Sequence, residues 1–123
     1  GDFATEYAEA LFDSLDLSVL ISDRDEIIAV AGESKKDYLG KHISKKIDQL
    51  MDSRESVIET NTNTLEIIEN KDEELEAYLL QPIIAGGDPI GCMVLFTREN
   101  KDFGDAEKKA AQAAATFLAK QME

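Results

Sequence analysis

Ala77-Tyr78-Leu79-Leu80-Gln81-Pro82-Ile83-Ile84-Ala85, then Gly86-Gly87-Asp88-Pro89, then Ile90-Gly91-Cys92-Met93-Val94-Leu95-Phe96-Thr97 is the stretch that decides the fold. The first run is the strongest strand signal in the chain, and the third is its match. Between them, Gly86-Gly87 suits a hairpin turn that needs positive φ. A phosphate loop would require a following helix and a Lys-Ser/Thr pair, and neither is present. Pro82 has no N–H to donate, so its strand must be an edge or carry a bulge at that point.

Working outward, Leu17–Ser22 and Glu26–Ala31 are two further β-rich runs around a polar Asp23-Arg24-Asp25 turn, closed by Gly32, and read as a hairpin. Ser56–Thr60 and Thr64–Glu69 are β-leaning segments joined by Asn61-Thr62-Asn63, and Asn70–Glu74 reads as a charged turn. Residues Ser34–Asp52 read as short helices and loop. Ser34 and Ser44 are the candidate caps there, and Ile47, Leu50 and Met51 form a small apolar face. The chain is bracketed by two amphipathic helices. Asp2–Leu15 carries Phe3, Tyr7, Leu11 and Leu15 on one stripe, widened by Ala4, Ala8 and Phe12, with Asp2 as its cap. Phe103–Met122 carries Phe103, Ala106, Ala110, Ala113, Ala114, Phe117 and Leu118, with Asp102, Gly104 and Asp105 competing as cap. This order predicts one α+β domain over residues 1–123. Its central antiparallel sheet has five or six strands, the terminal helices lie on one face and the helical insertion on the other.

Composition narrows the function. With 43% hydrophobic residues in 123, the chain can build a real core. Its 26 acidic against 13 basic residues give a net charge of −13, which repels DNA, RNA and anionic membrane surfaces. The single cysteine, Cys92, excludes an internal disulfide and fits a reducing compartment. No apolar run reaches the ~18–20 residues needed to span a bilayer, and the first residues lack a basic start and apolar core. A cytoplasmic location without membrane contact is expected.

Catalytic chemistry finds little to work with. His42, the only histidine, sits in a Lys-rich loop with no partner nucleophile in view. One histidine and one cysteine are too few for zinc. The acidic stretches Asp23–Glu26 and Asn70–Glu74 lack a calcium-loop pattern. Cys92, between Gly91 and Met93, reads as a buried structural thiol. No metal, no cofactor and no enzymatic activity are therefore expected. What remains is a cleft between the sheet and the 34–52 insertion, where Met51, Arg54 and Tyr78 are the candidate lining residues. A guanidinium at Arg54 suits a carboxylate or phosphate; the competing reading is a filled core with Arg54 in a surface ion pair.

The run Gln81–Gly91 into Val94-Leu95-Phe96 resembles the late hairpin of a GAF domain. Gly1-Asp2-Phe3-Ala4, Asp13-Ser14-Leu15, Ser18–Ile21, Asp23-Arg24-Asp25, Ser34–Leu39, Gly87–Gly91 and Phe117–Glu123 together resemble the C-terminal domains of the stage V sporulation protein T family, from first residue to last. The resemblance implies a transcription regulator of sporulation, activating or repressing genes in the developing spore compartment. DNA would be contacted only through an N-terminal AbrB-type domain absent from this chain. The Asn-Lys-Phe-Asp-Glu motif of cyclic-nucleotide-binding GAF domains is missing, and some GAF-fold proteins that reduce free methionine sulfoxide use two or more cysteines, where this chain has one. The expected role is a signal-sensing and oligomerisation domain. Its small-molecule effector is of unknown identity, and it forms a dimer or tetramer through Phe3, Tyr7, Leu11, Ala110, Ala114 and Phe117 of the terminal helices. The alternative is a purely structural assembly domain with no ligand.

Overall fold

The structure, a computed structural model, describes residues 3–122; the Asp2 cap expected for the first helix lies outside the described residues. The elements run α1 (Phe3–Leu15), β1 (Ser18–Ser22), β2 (Ile27–Ala31), α2 (Lys35–Tyr38), α3 (Lys45–Ser53), β3 (Val57–Glu59), β4 (Asn63–Ile68), β5 (Lys71–Leu75), β6 (Ala77–Ala85), β7 (Asp88–Thr97) and α4 (Asp105–Met122). The β6–β7 hairpin forms as its sequence dictates. Ala77 pairs with Thr97 and Ile83 with Gly91, and Gly86 and Gly87 turn the chain at φ +59° and +84°. The β1–β2 hairpin forms as well, and β1 pairs along β7, giving a five-stranded antiparallel sheet in the order β2-β1-β7-β6-β3. At the β1–β7 contact a Cβ on Gly91 would run into the Ser22 carbonyl, so glycine is what lets these backbones meet.

Successive strand residues point to opposite faces, and both faces of this sheet are covered. Val19, Ile21, Leu79, Ile83, Met93 and Leu95 pack under α1 and α4. Leu20, Val30, Tyr78, Leu80, Cys92, Val94 and Phe96 pack on the opposite side with Tyr38, Ile47, Met51, Leu65, Ile67 and Leu75. The terminal helices and the insertion thus take the opposite faces expected of them.

Pro82 sits where the sheet can tolerate it. β3 pairs only with Tyr78–Leu80, so that side of β6 is bare from Gln81 onward, and the register slips between Ile83 and Ile84.

Three details differ from the sequence expectation. First, β3 and β4 fall in different sheets, where one central sheet is the expectation. Asn61 and Thr62 turn the chain at φ +68° and +60°, but β3 joins β6 while β4 pairs with β5 in a separate two-stranded sheet. Second, β5 occupies the segment that reads as a charged turn. Its inward-facing residues are Glu73 and Leu75, so the alternation of a half-buried strand is masked by a carboxylate. Third, α4 begins at Asp105. Gly104 is its cap: its carbonyl accepts from the Lys108 N–H at 3.0 Å, and its N–H donates to Glu107 Oε1 at 2.6 Å. The sheet-facing row is Ala111, Ala114, Ala115, Leu118 and Ala119. Ala106, Ala113 and Phe117 face outward, and Ala110 is half-buried. With alanine on every side of this helix, hydrophobicity alone does not mark the buried face.

Glu73 is tolerated inside because one guanidinium meets it. Arg98, the first residue after β7, donates to Glu73 Oε1 at 2.8 Å and to both carboxylate oxygens of Glu33 at 2.8 and 3.0 Å. The Tyr38 hydroxyl donates to the same Glu73 oxygen at 2.6 Å, and Ser18 Oγ donates to Glu33 at 2.5 Å. Burial, then the Glu73 contact, holds the Tyr38 phenol well above its ordinary range. Arg98 thereby ties β1, the end of β2, α2 and β5 to the connection leading into α4. Removing it leaves Glu73, whose Oε2 has no partner already, as an uncompensated buried charge. We expect Arg98→Met to cost about 1–3 kcal/mol in urea unfolding. The added substitution Glu73→Gln should recover part of that loss; an unchanged midpoint would show that the network contributes nothing.

Candidate functional site

Helix α3 is fixed by Ser44, whose Oγ accepts from the Ile47 N–H at 3.2 Å and donates to the Glu66 carbonyl at 2.5 Å. Ser34, by contrast, makes no side-chain cap bond at the single-turn α2. Ile47 and Met51 point from α3 into the core. The adjoining stripe, Lys46, Gln49, Leu50 and Ser53, follows the i, i+3, i+4, i+7 spacing of one helix face. It looks across at the sheet edge, where register places Val57 opposite Leu80 and Glu59 opposite Tyr78. Between the two lies a cleft of about 520 Å³, bordered also by Glu55 and Ser56. Leu50, Val57 and Leu80 give it apolar surface, and charged and amide groups stand around them.

Of the three residues expected to line a cleft here, the structure brings only Tyr78 to it. Tyr78 is 3% exposed, and its hydroxyl makes no hydrogen bond with any described residue. Met51 is 0% exposed and fills the core behind α3. Arg54 caps the C-terminus of α3 in a left-handed conformation, φ +63°. Its Nε donates to the Gly87 carbonyl at 2.9 Å and a terminal nitrogen to the Asp52 carbonyl at 3.0 Å. Its guanidinium therefore fastens α3 to the β6–β7 turn and forms no ion pair among the described residues. Lys46, Gln49 and Glu59 were not singled out from the sequence. The signal that could have found them is the 46/49/50/53 spacing, whose mixed polarity hides it from a search for apolar stripes.

The groups weighed for reaction chemistry are placed elsewhere. His42 is exposed and lies beside Glu26 in a β-bridge. Cys92 is fully buried on β7, facing the insertion side of the sheet.

A family described as "Stage V sporulation protein T C-terminal, transcription factor" matches residues 1–123. Stage V sporulation protein T of Bacillus subtilis (strain 168) is 51% identical over all of this chain and 68% of its own length. The chain belongs to the stage V sporulation protein T C-terminal family. Membership places it among sporulation transcription factors. Solved structures agree on the fold. The GAF domain of a phosphoenolpyruvate-protein phosphotransferase from Coxiella burnetii aligns over 97% of this chain and 79% of its own, with TM-score 0.74 at 18% identity. The phycoerythrobilin-bound GAF domain of a cyanobacterial phytochrome aligns over 98% and 86%, with TM-score 0.71 at 16% identity. The fold is that of a GAF domain, and at these identities the likeness speaks to the fold alone. No helix among the described residues is long and apolar enough to cross a membrane.

Burial pushes the Cys92 thiol up to about 12 from an ordinary value near 9. The folded thiol thus keeps its proton where the unfolded one releases it, so this residue's contribution to stability is intact below pH 9 and is lost as pH rises towards 12. At pH 8 we expect Cys92 to resist a thiol-reactive disulfide in the native domain while reacting fully in urea. Rapid native labelling would contradict its burial.

Proposed function

We propose that this domain is the regulatory half of a sporulation transcription factor. In this reading it receives a small-molecule signal in the α3 cleft, assembles through α1 and α4, and so alters DNA binding by an attached N-terminal domain in the cytoplasm of the developing spore. The observation that supports it is an asymmetry across the sheet: an open cleft on one face, and on the other two helices that lie against each other and leave Phe3 and Phe117 uncovered.

We take these two aromatics, 51% and 54% exposed, as the ridge through which the domain assembles, with Tyr7 and Ala110 half-buried on the same two helices. Leu11 and Ala114 are already buried in the chain's own core. Large exposed aromatics on neighbouring helices favour a self-complementary contact, and a two-fold axis uses the same patch twice. In the cleft, Tyr78 contacts the effector, while Met51 and Arg54 act indirectly by setting the position of α3. A ligand can shift such a system by no more than its differential affinity for the two arrangements. The domain does no chemistry on its effector.

Sedimentation equilibrium tests the assembly. The wild-type domain is expected as a dimer or tetramer, and Phe117→Glu as a monomer at the same concentration with unchanged far-UV circular dichroism. Equal masses for both would remove the ridge from the interface.

A further inference from the structure

We propose that the α3 cleft binds a small zwitterion with an apolar body, an α-amino acid carrying an aliphatic or aromatic side chain. The inference rests on the effector-cleft reading above and adds the chemical class of ligand.

Three observations carry it. The first is that the polar groups of the cleft are unspent. Lys46, Gln49, Glu59 and the Tyr78 hydroxyl make no hydrogen bond or ion pair with any described residue. Elsewhere Arg24 holds Asp48 and Asp52, Arg98 holds Glu33 and Glu73, Lys101 holds Asp16, and Arg54 holds backbone carbonyls. For solvent-exposed Lys46 and Glu59 this is ordinary. Tyr78 differs in burying its ring, 3% exposed as a residue, while its hydroxyl keeps contact with the open cleft, where a ligand can reach it.

The second is the placement of charge. Glu59 is the direct cross-strand partner of Tyr78, so carboxylate and hydroxyl share the sheet wall. Lys46 and Gln49, one helical turn apart, share the α3 wall. An ammonium on the sheet side and a carboxylate on the helix side satisfy both. One lysine against Glu55 and Glu59 leaves the cleft at net −1 within a chain of net −13, which disfavours phosphorylated or purely anionic ligands.

The third is shape. Leu50, Val57 and Leu80 lie between the polar walls, where an apolar side chain would rest, and about 520 Å³ suits a small molecule.

The test is a ¹H–¹⁵N NMR titration of the domain with L-leucine and L-phenylalanine. Each is run beside its amine (3-methylbutylamine, 2-phenylethylamine) and its acid (4-methylpentanoate, 3-phenylpropanoate), with benzyl alcohol as an uncharged probe. We expect at least one amino acid to shift the amides of residues 46–50, 57–59 and 78–80. It should bind about 10-fold or more tightly than its amine or its acid, the size of one charge-assisted hydrogen bond. Glu59→Gln should erase the advantage over the acid and Lys46→Gln the advantage over the amine, while Tyr78→Phe weakens the amino acid. Should the amines, the acids or benzyl alcohol bind the cleft as well as the amino acids, the zwitterion assignment falls while the effector cleft stands. If no probe moves the cleft amides, both fall.

Discussion

The structure depends on a hairpin that is apolar on both sides. From Tyr78 to Leu80 and from Cys92 to Phe96 no residue of β6 or β7 is left to solvent. A strand pair of this kind cannot lie at the surface of a two-layer domain, so the chain must supply cover twice. It does so with α1 and α4 on one face and with the packed layer of α2, α3, β4 and β5 on the other. The two coverings differ in character. Alanines at 111, 114, 115 and 119 let α4 lie close to its face. The other layer is assembled from short pieces, and short pieces leave gaps. The α3 cleft is such a gap: β3 is only three residues long, and the helix above it is anchored by Ile47 and Met51 on one side only.

Polar contacts then fix the two layers relative to one another. Arg98 holds the insertion side through Glu73 and Tyr38, and three residues later Lys101 donates to the Asp16 carbonyl at the end of α1. The connection from β7 into α4 is thus tied to both coverings. Arg54 performs a related task at the other end, pinning α3 to the β6–β7 turn. A displacement of α3 therefore has mechanical routes towards both ends of the central hairpin, which is the physical content of the proposed coupling between cleft and helices.

Much of this was legible in the sequence, for identifiable reasons. The β6–β7 and β1–β2 hairpins announce themselves because turn residues and apolar runs agree. Ser44 reads as a cap because a small hydroxyl precedes the Ile47/Met51 pair. The opposite placement of terminal helices and insertion follows from element order. What was not legible failed for equally specific reasons. β5 is concealed because Glu73 takes an inward position that only a distant arginine makes tolerable. The buried face of α4 is ambiguous because alanine occupies every side of it. In the cleft, Tyr78 was identifiable as an aromatic beside the insertion. Arg54 reads as a ligand-binding or surface ion-pairing cation because nothing local reveals that its donors reach the carbonyl of Gly87. Lys46, Gln49 and Glu59 look like ordinary surface until the β3–β6 register sets Glu59 beside Tyr78 and α3 closes over them.

The central claim is that cleft and helical ridge, on opposite faces of one sheet, are coupled. It can be tested without knowing the ligand by filling the cleft with a side chain. Leu50→Trp places an indole in the gap, and the dissociation constant of the assembled domain is then measured by sedimentation beside the wild type. The account predicts a change of about 5-fold or more with the fold retained, the lower end of typical allosteric couplings. An identical dissociation constant with the cleft demonstrably filled would contradict it.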